Sequence, residues 1–475
     1  MKRFLGLDNL SAQYAYSDDP VLGYTSARRA ADHWVKTTCG YCSVVCGMEV
    51  GVREGKAVTV RGWDAHPVSG GALSPKGLSE HETLSAEGRA AYPLRKRNGR
   101  FERVTWDEAL DEMSERIREI QERYGPQAFG VISTGQLVTE EFYALGKLVQ
   151  LGFGTSNYDG NTTLCMASAV SGYKRSFGSD GPPGCYDDFL AADVILLIGA
   201  NIADNHPILC RHFEANREAY KIVADPRVSK TAMLADLHLP LKPRSDIALL
   251  NGIARVLIDG ELIDREYIRR HTEGFEELSA FLQQDWPVER AVAVTGLTAE
   301  TIVQVARRYG QARAGFLAWT MGVNHSTQGA ETVNAICNLS LLTGKIGRPG
   351  SAPFSITGQC NAMGTREAGF ASCLPGYRKF ENAAHRAELA SLWNIDAARI
   401  PSQRGMAYPD IIRAAASGEI RALWIIATNP VVSFPKQAGA GARAGQAGIP
   451  GGAGRFSSHA DNGVRGSGFA RGHLG

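Results

Sequence analysis

The chain has 475 residues, of which 44% are hydrophobic and 21% charged, and its formal net charge is +2. This length exceeds what one hydrophobic core organises, so we expect two to four domains. A charge so close to neutral gives no reason to expect nucleic acid or an anionic membrane surface as a partner. No stretch is apolar over the length that spans a bilayer, so we expect no membrane association.

The first informative segment after residues 1–35 is a short cysteine loop. Cys39, Cys42 and Cys46 have the spacing C-x2-C-x3-C, which suits an iron–sulfur cluster or a zinc ion. The segment 73–77 follows at the sequence spacing where a fourth cysteine ligand is expected, but it has Ser74 in that position. Residues 48–52 and 58–60 have the pattern of short strands. The segment therefore predicts a small metal-binding domain with an uncertain fourth ligand.

The next pattern is typical of a helix. Thr105 and Glu108 have the spacing of a capping box. The apolar residues that follow recur at helical intervals and predict one buried face: Ala109, Leu110, Met113, Ile117 and Ile120.

Five short apolar runs, each ending abruptly in small or polar residues, follow along the chain. They are 129–133, 194–198, 221–224, 316–320 and 423–427. Helical patterns lie between most of them, which is typical of parallel α/β layers whose ligands bind at the carboxyl ends of the strands. The polar endings favour a large polar ligand such as a nucleotide. None is a G-x-G-x-x-G, so an ordinary NAD-binding unit is not indicated.

The end of the chain changes in composition. Residues 437–475 are rich in glycine, contain few aliphatic side chains, and have Asp461 as their only acidic residue. Such a segment buries too little apolar area to offset chain entropy, so we predict disorder. It has the composition of a flexible tail, and also that of high-GC coding sequence read out of frame.

Several motifs together resemble the catalytic subunits of molybdopterin oxidoreductases, and most closely the cytoplasmic assimilatory nitrate reductases. They are TTCGYC (37–42), SPKG (74–77), NTTLCMASAV (161–170), GANIAD (199–204), KPRSD (242–246), MGVN (321–324), TGKIGRPG (343–350), TGQCNAMG (357–364) and ATNP (427–430). The resemblance covers roughly nine-tenths of the chain.

The resemblance implies an α/β fold with a small N-terminal iron–sulfur domain and two doubly wound parallel-sheet domains. The expected boundaries are 1–95 for the iron–sulfur domain, 96–177 and 353–436 for the first α/β domain, 178–352 for the second, and 437–475 for the tail. Relatives continue for several hundred residues, so we expect the family's C-terminal β-barrel domain to be missing. Turnover by this chain alone is then expected to be low.

The resemblance also implies a molybdenum atom held by two molybdopterin guanine dinucleotides, with one iron–sulfur cluster supplying electrons. Cys165 stands at the position of the protein ligand to molybdenum, and a soft thiolate suits that role. Met166 follows it where formate dehydrogenases usually have histidine, which favours oxygen-atom transfer over C–H oxidation. Arg366 aligns with an arginine near the active site, although a surface ion pair with Glu367 or another acid is an equal alternative. Lys76 is expected between cluster and pterin.

The remaining cofactor-binding candidates lie at strand ends or in loops that match the family pattern. They are Asn201, Asp225, Arg227, Arg244, Asp246, Gly322, Gln359 and Asn429. Carboxylates accept hydrogen bonds from guanine or ribose, and arginines pair with pyrophosphate in a bidentate manner. The other cysteines, Cys185, Cys210, Cys337, Cys360 and Cys373, are expected to be structural thiols.

Ser74 is the main departure from the family in the metal-binding segment. Three cysteines alone favour a 3Fe–4S cluster, and the alternative is a 4Fe–4S cluster completed by a serine oxygen or water. Cluster type and hydrogen bonding set the potential, so electron transfer could continue with an altered driving force.

The leading hypothesis is a cytoplasmic molybdenum enzyme that reduces nitrate to nitrite. Its electrons would come from a ferredoxin, a flavodoxin or an NADH-dependent reductase subunit. The scattered cysteines and the lack of an export leader favour the cytoplasm. The alternatives are a formate dehydrogenase of the same family, which Met166 disfavours, and an inactive fragment that binds only a cluster. A structural zinc at the cysteine loop is disfavoured by the adjoining lysine and glycine.

Overall fold

The computed structural model describes residues 16–19, 23–26, 31–86, 89–369 and 372–435. The predictions for the start of the chain up to residue 15 and for the glycine-rich tail, 437–475, lie outside these residues. No helix within the described ranges is both long and apolar enough to cross a membrane.

The strands are short, and most of those in the parallel sheets are fully buried. In chain order they are β1 (Tyr16–Asp19), β2 (Gly23–Ser26), β3 (His33–Thr38), β4 (Gly47–Arg53), β5 (Lys56–Gly62), β6 (Leu94–Arg97), β7 (Arg100–Arg103), β8 (Phe129–Ser133), β9 (Tyr158–Gly160), β10 (Val194–Ile198), β11 (Tyr220–Ala224), β12 (Leu237–Leu239), β13 (Gly315–Trp319), β14 (Ala352–Ser355) and β15 (Ala422–Ile425).

Helices occupy most of the connections. The α-helices are α1 (Pro75–Leu78), α2 (Trp106–Tyr124), α3 (Thr139–Lys147), α4 (Thr162–Cys165), α5 (Ala167–Phe177), α6 (Asp188–Ala191), α7 (Ile202–Asn205), α8 (Pro207–Ala215), α9 (Asp246–Asp259), α10 (Arg265–His271), α11 (Phe275–Asp285), α12 (Val288–Thr295), α13 (Ala299–Gln311), α14 (Met321–Asn324), α15 (Gly329–Leu342), α16 (Ala362–Glu367), α17 (Ala383–Trp393), α18 (Tyr408–Ser417) and α19 (Pro430–Ser433). Short 3-10 turns are Glu80–Leu84, Pro126–Ala128, Ala232–Leu234, Pro375–Tyr377 and Ala397–Arg399, and Leu148–Gly152 is a π turn.

The N-terminal part is antiparallel. β1 pairs with β2, and β3, β4 and β5 form a sheet in that order. The pairing of Thr38 with Gly47 places the cysteine loop in the connection between β3 and β4. The predicted strand patterns at 48–52 and 58–60 fall within β4 and β5, which confirms them.

The predicted capping box and helix are confirmed in α2. The Thr105 side chain accepts a hydrogen bond from Glu108 N, and the Glu108 carboxylate accepts one from Thr105 N. Ala109, Met113 and Ile117 are buried as expected. The prediction for Leu110 was wrong, because this side chain is 50% exposed. One residue of the predicted face therefore lies beyond the edge of the contact with the sheet.

Two parallel sheets form the centre of the molecule. The smaller has the order β15-β8-β9, so a strand near residue 425 completes a sheet begun near residue 130. The larger has the order β12-β11-β10-β13-β14. All five predicted apolar runs are strands of these sheets, which confirms the doubly wound α/β class.

The larger sheet changes winding direction between β10 and β13. Successive strands β10, β11 and β12 extend in one direction, and β13 and β14 extend in the other. In open parallel sheets this change of direction opens a crevice at the carboxyl ends of the two central strands, where ligands bind. The crevice here is flanked by the residues that follow Ile198 and Trp319.

The two faces of the larger sheet have separate cores. Leu196 of β10 packs with helices α9, α13 and α15, whereas Leu197 faces the opposite side. Cys39, Val44 and Cys46 belong to that second core. The cysteine loop is therefore anchored against the sheet by apolar packing.

Candidate functional site

The three cysteines of the β3–β4 connection are held together by the hairpin. Cys39 N donates to Cys46 O at 2.8 Å, which closes the loop across its ends. Cys39 and Cys46 are buried, Cys42 is half-buried, and all three are free thiols. Burial raises the pKa of Cys39 to about 12 and that of Cys46 to about 11. These thiols stay protonated at neutral pH until a metal binds and displaces the proton.

Ser74 precedes helix α1, which packs beside this loop. A Cβ added to Gly77 would lie 3.4 Å from Cys39 Sγ, so α1 approaches the thiol closely. Ser74 is the N-cap residue of α1, yet its side chain makes no hydrogen bond to that helix. Ser74 therefore stands at the start of a helix that lies beside the cysteine loop, and its hydroxyl does not cap that helix.

The thiols are not gathered around a single ion. Across the described part of the chain, no group of three or more His, Cys, Asp or Glu side chains is arranged to hold one metal ion. The loop nevertheless brings three free thiols into a single anchored hairpin. Such an arrangement suits a polynuclear cluster, whose thiolate ligands bind different iron atoms.

Lys76 connects the cysteine loop with the larger sheet. Its Nζ donates to Asp204 O at 2.8 Å and lies 4.8 Å from the centre of the Tyr41 ring. Burial is the main cause of the raised pKa of Cys42, and the positive charge of Lys76 acts against it. Lys76 therefore connects the cysteine loop, through the Tyr41 ring, with Asp204 in helix α7, which follows β10.

Cys165 lies at the break between helices α4 and α5. Its Sγ is 3.4 Å from Met321 Sδ, and a Cβ added to Gly358 would lie 3.9 Å from it. Met321 follows β13, whereas Gly358 follows β14. Burial raises the pKa of the Cys165 thiol, while the Gly358 backbone and the charge of Arg366 lower it. The thiol thus faces loops at the carboxyl end of the larger sheet.

Arg366 is internal, and its partner is Asp180. The two side chains are 9% and 2% exposed and form an ion pair through Arg366 Nε. Arg366 Nη2 donates to Met363 Sδ at 2.9 Å and lies 4.0 Å from Met166 Sδ. The alternative of an ion pair with another acid is confirmed by Asp180, but its expected place at the surface was wrong, because both charges are buried. Asp180 was missed by the sequence analysis, and nothing in its neighbourhood, GSDGPP (178–183), marks it as a partner of a residue 186 positions away.

Two glycines meet at the crevice of the larger sheet. Gly322 N donates to Gly199 O at 3.1 Å. A Cβ on Gly322 would lie 2.5 Å from Gly199 Cα, closer than atoms can approach. Asn201, two residues further on, donates to Asp204 Oδ2 at 2.8 Å and accepts from Thr231 Oγ1 at 2.9 Å. The two strand ends are therefore packed backbone to backbone, with Gly199 half-buried and Gly322 exposed.

The acidic and basic candidates beyond β11 lie at the same edge. Asp225 accepts from Arg227 N at 2.9 Å. Burial raises the pKa of Asp246, and the charge of Asp225 raises it further, so the two carboxylates are neighbours. Arg244 has a φ of 67° and donates to Thr327 Oγ1 at 3.3 Å. The Arg227 and Arg244 side chains are exposed, and the charge of Arg227 contributes to the lowered pKa of Asp204 beside Asn201.

Gln359 and Asn429 belong to the end of the smaller sheet. Gln359 Nε2 donates to Asn161 Oδ1 at 2.7 Å and to Thr134 Oγ1 at 3.1 Å. Asn161 Nδ2 donates in turn to Thr428 Oγ1 at 3.1 Å. Asn429 caps α19 by accepting from Val431 N at 3.2 Å. Gln359 therefore joins the segment after β14 to the smaller sheet.

Comparison with known families identifies this architecture. The sequence profile described as "Molybdopterin oxidoreductase" matches residues 89–442. The profile described as "Molybdopterin oxidoreductase Fe4S4 domain" matches residues 32–86. The chain belongs to the molybdopterin oxidoreductase family. The resemblance seen in the sequence is thereby confirmed, and the two matches support a molybdenum–molybdopterin cofactor and a 4Fe–4S cluster.

Curated relatives of this molybdopterin oxidoreductase include nitrate reductases. That of Synechocystis sp. is 40% identical over 414 residues, which cover 84% of this chain and 58% of the relative. That of Symbiobacterium thermophilum is 40% identical over 435 residues, covering 88% and 58%. The chain thus spans about 58% of the length of these relatives. Among solved structures, acetylene hydratase from Pelobacter acetylenicus has a TM-score of 0.69 at 23% identity, covering 86% of this chain and 59% of its own. That likeness concerns the fold alone.

Buried polar atoms beside Cys165 and the cysteine loop fit a large polar cofactor. His206 Nδ1, Thr357 Oγ1, Gln359 Oε1 and Asn324 Nδ2 are buried and have no hydrogen-bond partner among the described residues. His206 Nε2 donates to Thr357 O at 2.8 Å, which fixes the ring. Buried polar groups are nearly always satisfied, so these atoms are explained by a ligand with polar edges. The sequence signal for His206 was its place two residues after the end of the GANIAD motif.

Proposed function

We propose that this chain forms the catalytic part of a cytoplasmic, molybdenum-dependent nitrate reductase. The observation that carries the proposal is the grouping of Cys165, Met166 and Arg366. A half-buried thiol is followed by an apolar thioether, and a buried guanidinium lies 4.0 Å from that thioether. Guanidinium donors match the planar oxygen geometry of an oxyanion.

The cofactor, when bound, supplies the two electrons that remove one oxygen atom from nitrate; with two protons that oxygen leaves as water, and nitrite is the product. Cys165 would hold the metal through its thiolate. Met166 offers no proton and keeps the neighbourhood of Cys165 apolar. Arg366 would orient the anion, with its own charge partly balanced by Asp180.

Binding of the cofactor in its bis(guanine dinucleotide) form is part of the proposal. The crevice formed by Gly199 and Gly322 would admit pyrophosphate close to the backbone. Asn201, Asp225 and Asp246 would contact the nucleotide ends. Gln359, which bridges the two sheets, would contact the second pterin.

Electrons would enter through the cysteine loop and pass Lys76. The lysine contacts the Tyr41 ring on one side and Asp204 O on the other, so its charge lies between cluster and cofactor. The donor would be a ferredoxin, a flavodoxin or an NADH-dependent reductase subunit.

A viologen-linked assay tests the substrate assignment. Protein purified anaerobically is supplied with reduced viologen and nitrate, and separately with oxidised viologen and formate. We expect nitrite formation and no formate oxidation. Formate oxidation without nitrite formation would instead establish the formate dehydrogenase alternative.

Cofactor content distinguishes a loaded enzyme from a fragment that binds only a cluster. We expect molybdenum and guanine nucleotide to copurify with the chain. Protein that carries iron and sulfide but neither of these would support the fragment alternative.

An arginine variant tests the role given to Arg366. In Arg366→Lys the charge remains but the two-pronged donor geometry is lost, so we expect KM for nitrate to rise about 10-fold or more while kcat falls less. Arg404→Lys is the control, because Arg404 forms an exposed ion pair with Glu381. If KM for nitrate is unchanged in Arg366→Lys, the guanidinium of Arg366 does not contribute to nitrate binding.

A further inference from the structure

The cysteine loop lacks one soft ligand for a 4Fe–4S cluster. Cys39, Cys42 and Cys46 supply three thiolates, and Ser74 supplies only a hydroxyl. An alkoxide is a hard ligand that forms at high pH, whereas iron in clusters prefers thiolate. The structure offers another thiol close to the loop, on a segment far along the chain.

That segment, residues 357–361, is hydrogen-bonded to the cysteine loop. Ser43 N donates to Gly358 O at 3.1 Å, and Ser43 Oγ donates to Thr357 O at 2.5 Å. Ser43 directly follows Cys42. Cys360 comes two residues after Gly358, so its backbone is held close to the ligand loop.

A second connection fixes the segment on the other side of Cys360. Asn361 N donates to Gly135 O at 2.9 Å. The neighbouring Gln136 donates through Nε2 to Gly40 O at 3.3 Å, and Gly40 follows Cys39. Residues on both sides of Cys360 are therefore tied, directly or through one neighbour, to residues adjacent to cluster cysteines.

The Cys360 thiol is free and half-buried, and it lines a cavity of about 190 Å³. The same cavity is lined by Ser43, which follows Cys42, and by Met166 and Asp180.

We infer that Cys360 is the fourth protein ligand of the iron–sulfur cluster, in place of Ser74. On binding, the S–H bond breaks, the proton leaves to solvent, and a bond forms between Cys360 Sγ and the fourth iron. The cluster is then of the 4Fe–4S type. This inference depends on the presence of a cluster and not on the substrate, so a failed nitrate assay leaves it unaffected.

Two single variants of the full chain test the assignment after anaerobic reconstitution with iron and sulfide. In Cys360→Ala we expect an oxidised sample with the EPR signal of a 3Fe–4S cluster and a loss of about one quarter of the cluster iron. In Ser74→Ala we expect the oxidised cluster to remain EPR-silent with its full iron content. Cys185→Ala, which removes an exposed free thiol, is the control for the loss of any cysteine.

A double variant separates a lost ligand from a lost fold. Ser74→Cys combined with Cys360→Ala restores a thiol at the position beside α1, and we expect the 4Fe–4S cluster to return. The assignment is overturned if the unaltered chain already holds a 3Fe–4S cluster. It is also overturned if Cys360→Ala keeps a complete cluster, or if Ser74→Ala alone produces the 3Fe–4S signal.

Discussion

The cysteine loop and the surroundings of Cys165 are the two proposed metal-binding regions, and they are assembled in different ways. Three thiols of the loop lie within eight residues of one hairpin, so their proximity is local. Cys165, in contrast, contacts Met321 across 156 positions, and Arg366 meets Asp180 across 186. Local spacing builds the first region, whereas the packing of two sheets builds the second.

This difference predicts separate sensitivities. Damage to the sheets should affect the Cys165 region and global stability while leaving the cluster signal in place. Damage to the loop should affect the cluster without unfolding the sheets. The following substitutions would sharpen or contradict that separation.

The largest expected effect on the molybdenum region comes from Cys165→Ser. Replacement of a soft thiolate by a hard oxygen should lower nitrate reduction by more than about 100-fold, because even indirect changes around a metal ligand cost 10- to 100-fold. The visible absorption of the iron–sulfur cluster should stay unchanged. Loss of that absorption together with activity would show that the two regions are not separate.

Asp180→Asn should cause the largest loss of stability. It leaves Arg366 buried without a counter-charge, which costs about 3–5 kcal/mol of unfolding free energy. Asp410→Asn is the matched control, since Arg413 and Asp410 form an exposed pair whose loss should change stability by less than about 1 kcal/mol. If chemical denaturation shows the same loss of unfolding free energy in Asp180→Asn and Asp410→Asn, burial of the Arg366–Asp180 pair does not determine its contribution.

Gly322→Ala should destabilise the crevice by about 1–3 kcal/mol. The new methyl group would collide with the Gly199 backbone, which cannot move without displacing β10. Denaturation and guanine-nucleotide content would both be measured. Gly181→Ala serves as control, because no described atom lies within 4 Å of a Cβ there. If Gly322→Ala is as stable as the unaltered chain and holds the same amount of guanine nucleotide, the contact between Gly322 and Gly199 is not needed for the crevice.

Lys345 should make the stability of the chain depend on pH. This side chain is buried, its Nζ donates to Gly310 O at 3.1 Å, and burial lowers its pKa to about 8. Because the unfolded chain binds this proton up to its ordinary pKa near 10.5 and the folded chain releases it near 8, unfolding free energy should rise between those values. In Lys345→Met the unfolding free energy should no longer rise over this pH range. If the variant shows a rise of the same size, other titratable groups cause it.

The sequence predicted the parts of the molecule that depend on local pattern. The five apolar runs are strands because a buried parallel strand needs only a short apolar segment. The capping box of Thr105 and Glu108 and the hairpin spacing of the cysteines are equally local. The short strand β9 and the edge strand β14 were not predicted, because three or four residues carry too little pattern.

What the sequence could not predict is pairing across long distances. The segment GSDGPP (178–183) gives no sign that Asp180 pairs with Arg366. In the same way, Cys360 was expected to be structural, since its approach to the cysteine loop depends on hydrogen bonds made by Ser43 and Asn361. Such contacts arise only when two sheets and a hairpin are packed together.

The two hydrogen bonds from Ser43 couple the cysteine loop to the surroundings of Cys165. They join the cluster loop to the segment that carries Gly358 beside Cys165. A displacement of the cluster loop would therefore reach the segment facing Cys165 through these two bonds, although no residue of either parallel sheet had changed.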